Sequence, residues 1–233
     1  MARRTEKTHV NTKKTGARNR VLLVDDHPLV REGLATLIRA TPDLTVSGEA
    51  GCVDEACRHL AEDIPDLVML DLTLPGKSGL DLIKHVRDRY PRLRVLVLSM
   101  HEESVYAERV LRAGAHGYIM KHMPGTQIVE AVRTVLRGEI YVSPAIASRL
   151  LKLIVDGDSR AGREDGVEKL SNRELQVFIC IGNGQSTQEI ADQFQLSIKT
   201  IQTYREHIKR KFGLRNATDL IHFATQQAQP NRQ

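Results

Sequence analysis

Five side chains in this sequence suit the handling of a phosphoryl group if the fold brings them together: Asp25, Asp26, Asp71, Ser99 and Lys121. Each follows or ends an apolar run: VLLV before Asp25-Asp26, LVML before Asp71, VLVL before Ser99 and GYIM before Lys121. Three carboxylates gathered at one rim repel each other, and a hard divalent cation relieves the repulsion. Mg2+ takes carboxylate oxygens and keeps several waters, which suits a shallow rim. A lysine then neutralises phosphoryl oxygens and a hydroxyl donates a hydrogen bond to one of them. Taken singly, the same residues say little. Asp25 or Asp26 could cap the helix that follows, and a lone lysine is ordinarily just solvated. The ordered set of five points to chemistry.

The elements that must position this set are legible from periodicity. Apolar runs at 20–26, 44–50, 66–72, 94–100 and 116–121 alternate with segments of helical length near 28–40, 52–62, 78–89, 103–113 and 125–137. Five strands alternating with five helices predict a doubly wound α/β fold, a parallel sheet covered on both faces. Ligands of such sheets collect at the carboxyl ends of the strands, where the five polar groups lie. Pro42, Pro65 and Pro91 punctuate the elements. Ser143-Pro144 announces a further helix to about Val155. The stretch 156–169, DGDSRAGREDGVEK, is glycine-rich, charged and almost without apolar residues, and reads as a linker. Four more helical segments fit 171–182, 186–194, 197–212 and 217–227.

Composition narrows the function class. Hydrophobic residues are 41% and charged residues 27% of the chain, ordinary for a globular protein. No apolar run reaches about 18 residues, so no membrane span is expected. The first 20 residues have no apolar core, so no secretion signal is expected and the cytoplasm is the expected compartment. Three cysteines are an odd number, and no Cys/His set has zinc spacing. The net charge of +5 is uneven. Residues 1–20 carry +6, residues 21–154 carry −2, residues 155–169 carry −2 and residues 170–233 carry +3. The basic tail, residues 1–19, reads as a solvated, disordered extension. The basic C-terminal module suggests a polyanionic partner.

That module carries a helix-turn-helix pattern. Ser171 with Glu174, and Ser186 with Glu189, are capping boxes. Gly182 and Gly184 break the first helix, and Gln195-Leu196-Ser197 forms the turn. On the helix that follows, Ile198, Ile201, Ile208 and Phe212 share one face and are expected in the core. The opposite face carries Lys199, Thr200, Gln202, Thr203, Arg205, Glu206, Lys209 and Arg210.

The segments VLLVDDHPLVREGL, MLDLTLPGKSGLDLI, VLVLSMH and GAHGYIMK resemble the receiver domain of two-component response regulators over nearly all of residues 20–140. The resemblance implies a flavodoxin-like receiver in which Asp71 is phosphorylated by transfer from a histidine kinase. Asp25 and Asp26 would hold Mg2+ with Asp71 and the backbone carbonyl of Thr73. Lys121 would pair with the phosphoryl group, Ser99 would hydrogen-bond to it, and Tyr118 would change orientation with it. Two departures are visible. Lys121 and Pro124 are separated by His122 and Met123, so no cis peptide is expected beside Lys121, and Ser99 stands where Thr is commoner. Residues 170 to 223 resemble the four-helix, LuxR-type DNA-binding domain of the NarL/FixJ subfamily. This implies that Gln202, Thr203 and Glu206 face base edges. Lys199, Thr200, Arg205 and Lys209 would then contact phosphates with help from Ser186 and Thr187. Gln195 sits where relatives often carry a left-handed glycine, at some conformational cost.

The expected organisation is a tail at 1–19, a receiver at 20–141, a helix and linker at 142–169 and an all-α DNA-binding domain at 170–233. The expected function is a phosphorylation-switched transcriptional regulator, not an enzyme beyond its own phosphorylation and dephosphorylation. Unphosphorylated, the receiver would cover the recognition helix; phosphorylated, the chain would open, form a homodimer and bind promoter DNA, with RNA polymerase a further partner. Two other classes compete. A carboxylate-dependent phosphatase should show Asp-x-Asp at the nucleophile, but the sequence is Asp71-Leu72-Thr73. A DNA-binding protein with a degenerate receiver should lack part of the five-residue set.

Overall fold

The computed structural model describes residues 18–100, 103–155 and 166–228. Most of the expected tail and of the expected linker lies outside the described residues; Asn19, expected at the end of the tail, instead opens the first strand because its N–H and side chain reach the Asp43 carbonyl. Strands β1 (Asn19–Val24), β2 (Leu44–Ala50), β3 (Leu67–Asp71), β4 (Arg94–Ser99) and β5 (Gly117–Met120) alternate with helices α1 (Pro28–Arg39), α2 (Val53–Glu62), α3 (Gly79–Arg89), α4 (Glu103–Ala113) and α5 (Gly125–Leu136). All pairings are parallel, and the strand order is β2-β1-β3-β4-β5. Strands β1, β3, β4 and β5 are buried on both faces because their side chains alternate between two cores, while the edge strand β2 is half-exposed. Leu22, Val24, Val68, Leu70, Val95 and Val97 face the side packed by α2, α3 and α4. Val21, Leu23, Leu67, Met69, Leu96 and Leu98 face the side packed by α1 and α5. The chain turns back on itself between β1 and β3, so the crevice for a ligand opens at their carboxyl ends.

After β5 the chain continues through α6 (Pro144–Val155), which packs on α4. Glu103 Oε1 accepts from the Ser143 backbone N–H at 2.8 Å, and Arg149 Nη1 donates to the Ser104 carbonyl at 3.0 Å. A 3-10 turn (Val167–Lys169), which the linker reading did not foresee, leads into α7 (Asn172–Gly182), α8 (Thr187–Phe194), α9 (Ile198–Phe212) and α10 (Ala217–Ala228). Both capping boxes form, and Ser197 caps α9 by accepting from the Thr200 N–H. Each such cap is worth about 1 kcal/mol. Gln195 adopts φ 52, the sole left-handed non-glycine among the described residues, as expected for the turn into α9. No cis peptide bond occurs among the described residues.

The C-terminal core is built on Phe178, Phe194, Ile201, Ile208 and Leu220, each at most 2% exposed. Phe178, Phe212 and Phe223 pack as a ring trio with centroids 4.8–5.8 Å apart. Ile198 corrects the expectation: it is 44% exposed, because at the first turn of α9 its side chain projects beyond α7 and α8. No helix among the described residues is long and apolar enough to cross a membrane.

Candidate functional site: an acidic pocket and a helix-turn-helix face

The β1–β3 crevice gathers the carboxylates. Asp25 follows β1 and is 2% exposed, and Asp71 ends β3 and is 4% exposed. Neither Asp25 nor Asp26 caps α1. His27 occupies the N-cap position, and Asp25 Oδ1 accepts from the His27 N–H at 2.9 Å. Lys121, just past β5, places Nζ 2.8 Å from Asp71 Oδ2 and 2.6 Å from Asp25 Oδ2. The second Asp71 oxygen, Oδ1, accepts from the Thr73 N–H at 3.2 Å. Ser99 ends β4 and is fully buried, and its carbonyl accepts from the Lys121 N–H at 2.9 Å.

Burial pushes the Asp71 carboxyl up to about 6; the Lys121 ammonium opposes this and the Asp25 carboxylate adds to it. Burial pulls Lys121 down, but Asp71 and Asp25 outweigh it and hold the ammonium above its ordinary value. Asp25, Asp26, His27 and Asp71 each offer one ligand atom, all within 4.8 Å of one another. The Lys121 ammonium balances one of the three carboxylates and leaves two negative charges, so the donor set fits a hard divalent cation. His27 was not singled out in the sequence; its signal was its position directly after the acidic pair.

Asp25, Asp26, Asp71 and Lys121 therefore meet, and the Ser99 backbone joins them through Lys121. Tyr118 of β5 lies on the sheet face that also carries Val95 and Val97 of β4. It is 1% exposed and belongs with Tyr106 to the apolar packing on the α2–α4 side of the sheet.

On the nucleic-acid side, Lys199, Gln202, Thr203 and Glu206 of α9 are exposed, as is Ser186 before α8, while Thr187, Thr200, Arg205 and Lys209 are half-buried. Glu206 Oε1 lies 2.8 Å from Lys209 Nζ, and Thr203 Oγ1 donates to the Lys199 carbonyl at 3.0 Å. Burial pulls the Arg205 guanidinium down, while Glu206 raises it. The recognition helix is thus not covered by the receiver, contrary to expectation. The receiver grips α7 and the end of α8 instead, because polar side chains there find backbone carbonyls of the loop after β3. Arg173 donates to the Leu74 and Gly76 carbonyls, and Gln176 Nε2 donates to the Leu72 carbonyl at 3.0 Å. From the other direction Arg109 of α4 donates to the Leu170 and Val167 carbonyls at 2.9 and 3.3 Å. Sequence reasoning missed these residues. A faint signal was the run of polar residues inside RELQVF, which is buried from Arg173 to Phe178.

Comparison with known proteins matches both halves of the chain. Residues 21–133 match the response regulator receiver domain, and residues 168–224 match the bacterial regulatory proteins of the luxR family. The chain is 34% identical over 208 residues to the oxygen regulatory protein NreC of Staphylococcus aureus, covering 88% of this chain and 96% of that one. A LuxR-family two-component response regulator from Aurantimonas sp. SI85-9A1 is 39% identical, with a TM-score of 0.55 over 60% of this chain and 99% of its own. RcsB of Salmonella enterica serovar Typhimurium, solved on the promoter rprA with the phosphomimetic BeF3−, is 26% identical. It has a TM-score of 0.59 over 89% of this chain and 98% of its own.

Proposed function

Because this chain belongs to the two-component response regulators that join a receiver to a LuxR-type DNA-binding domain, we propose that Asp71 is its phosphoacceptor and that phosphorylation there controls promoter binding. The observation that carries this reading is the buried Lys121 ammonium bridging Asp71 and Asp25 at the β1–β3 crevice. The donor is a histidine kinase. The Asp71 carboxylate attacks phosphorus, the phosphorus–imidazole nitrogen bond breaks, and the electron pair leaves on the kinase histidine. Thr73 N–H orients the carboxylate, and Lys121 moves its charge from the carboxylate to the phosphoryl oxygens. The Ser99 hydroxyl donates a hydrogen bond to one of those oxygens, and Tyr118 repacks with Ser99. Asp25, Asp26, Asp71 and the Thr73 carbonyl would hold Mg2+, which supplies further charge neutralisation at the phosphoryl group. Hydrolysis of the acyl phosphate at the same pocket resets the protein.

The receiver spans residues 20–141, the connecting helix and linker 142–169 and the DNA-binding domain 170–233, with residues 1–19 a basic tail. The phosphorylated form is a homodimer that works in the cytoplasm on promoter DNA and engages RNA polymerase. RcsB bound to a promoter in the presence of the phosphomimetic BeF3− supports promoter binding by the phosphorylated form. The test is a titration with beryllofluoride and Mg2+, followed by sedimentation. The monomer is expected to convert to a dimer only when both are present. An unchanged sedimentation coefficient at saturation overturns the reading.

On DNA, Lys199 and Lys209 contact phosphates and Gln202 reads a base edge, with Thr200, Thr203, Arg205, Glu206, Ser186 and Thr187 around them. Replacing Lys199 by Ala should weaken binding to all duplexes and flatten the salt dependence by about one unit of slope. Lys209→Ala should flatten it less, since Glu206 already neutralises that ammonium at 2.8 Å. Gln202→Ala should relax preference at one base pair per half-site, about 1–3 kcal/mol, and spare nonspecific affinity. Salt-titrated binding to promoter and random duplexes measures all three. Equal losses on both duplexes for Gln202→Ala would make it a phosphate contact.

A further inference from the structure

The loop from Leu72 to Gly76 has two owners. It begins at the residue bonded to Asp71, and its Thr73 N–H holds Asp71 Oδ1. From the α3 side it is pinned: the Gly79 N–H donates to the Leu72 carbonyl at 3.2 Å, and a side chain at Gly79 would collide with the backbone of Asp71 and Leu72. That side has no room to give. From the other side the hold comes from the DNA-binding half, about a hundred residues away in the chain. Gln176 Nε2 donates to the same Leu72 carbonyl at 3.0 Å, and Arg173 donates to the Leu74 and Gly76 carbonyls. The Gly76 N–H in turn donates to the Phe194 carbonyl at the end of α8, at 3.3 Å.

The clasp is a built assembly. Gln176 is fully buried and Arg173 is 8% exposed. Arg173 Nη1 donates to Gln176 Oε1 at 2.8 Å, which turns the Gln176 amide so that its Nε2 faces Leu72. The guanidinium carbon sits 4.8 Å from the centroid of the Phe194 ring, which fixes its position over α8. The acceptors of Arg173 are two carbonyls and an amide oxygen, all of them groups that water serves equally well once the halves separate. Such a contact fixes the loop while closed and costs little to release.

We propose that Arg173 and Gln176 are positioning residues for phosphorylation of Asp71. They hold the Leu72–Gly76 loop in the form in which the acceptor carboxylate is 4% exposed, and their release from the loop is a step in forming the acyl phosphate. Thr73 lies between two clasped carbonyls, those of Leu72 and Leu74, so any rotation of its peptide planes as Asp71 takes on a phosphoryl group works against the clasp. The DNA-binding half thereby acts on the chemistry of the receiver through α7, with the recognition face of α9 left open. By linkage, whatever the clasp withholds from the phosphorylated form, phosphorylation withholds from the clasp. The proposal rests on Asp71 being the phosphoacceptor.

The test labels the full-length chain with acetyl phosphate and Mg2+; an Asp71 oxygen–phosphorus bond forms as acetate leaves. Gln176→Leu and Arg173→Met remove the donors while filling the same space. Each is expected to label about three- to tenfold faster than wild type, the factor of one or two lost hydrogen bonds. Each should also bind beryllofluoride more tightly by a similar factor. Arg173→Lys keeps a donor and should stay near the wild-type rate. Unchanged affinity for random duplex DNA marks a folded C-terminal half in each variant, and if one variant unfolds, the other decides. Variants that label at the wild-type rate or slower overturn the proposal. A wild-type chain that takes no label at all overturns the assignment of Asp71, and the clasp proposal with it.

Discussion

Replacing Asp71 with Asn should abolish covalent labelling from acetyl phosphate or a phosphorylated kinase, a loss limited only by detection. The amide oxygen is a far weaker nucleophile than a carboxylate, and the other acidic groups of the pocket lack its geometry. Asp71 stands at the end of β3 with one oxygen on Lys121 and the other on the Thr73 N–H. Asp25 has its Oδ2 on Lys121 and its Oδ1 on the His27 N–H, and faces the pocket from β1. The label on the wild-type chain should be released by hydroxylamine, as an acyl phosphate requires. Persistent hydroxylamine-sensitive label on Asp71→Asn, mapped by mass spectrometry, would place the acceptor elsewhere.

The same variant should be more stable than the wild type at neutral pH. Burial raises the Asp71 carboxyl from its ordinary 3.8 to about 6, so the native pocket retains a proton that the unfolded chain has already released. Between about pH 4 and 6 wild-type stability therefore falls as pH rises, and it stays reduced above that window. Asn carries no charge to bury, and Lys121 keeps Asp25 as its partner at 2.6 Å. The gain for Asp71→Asn should be about 1–3 kcal/mol at pH 7.5 in metal-free buffer and should vanish below about pH 4. Urea unfolding at a series of pH values measures it. A gain that grows toward acid pH would show that Asp71 is stabilised as the carboxylate. Added Mg2+ should narrow the difference, since a cation bound only by the folded carboxylates stabilises the wild type.

Local rules carried far in this protein. Alternating apolar runs specified five strands, and Ser171 and Ser186 marked the starts of two helices because a hydroxyl there satisfies amide groups that the helix cannot. Gln195 was read as left-handed and is so, at φ 52, since the turn between α8 and α9 demands that backbone whatever residue occupies it. The meeting of Asp25, Asp71 and Lys121 was legible as well, because a parallel sheet delivers the carboxyl ends of neighbouring strands to one rim.

What the sequence left open are contacts that depend on how finished elements meet. His27, and neither aspartate, took the N-cap of α1 because the carboxylate of Asp25 turned to accept the His27 N–H and pair with Lys121 across the sheet. Periodicity put Ile198 in the core, yet the first turn of α9 extends past the helices that would cover it. Alternation in β5 sends Tyr118 to the α2–α4 side, and only the packing there sets it beside Tyr106. The receiver's grip on α7 was invisible for the same reason. Arg173 and Gln176 look like ordinary polar positions on a helix until a loop a hundred residues earlier presents three carbonyls to them. Sequence spacing sets which face of one element a residue occupies; only the packing of two elements decides what that face touches.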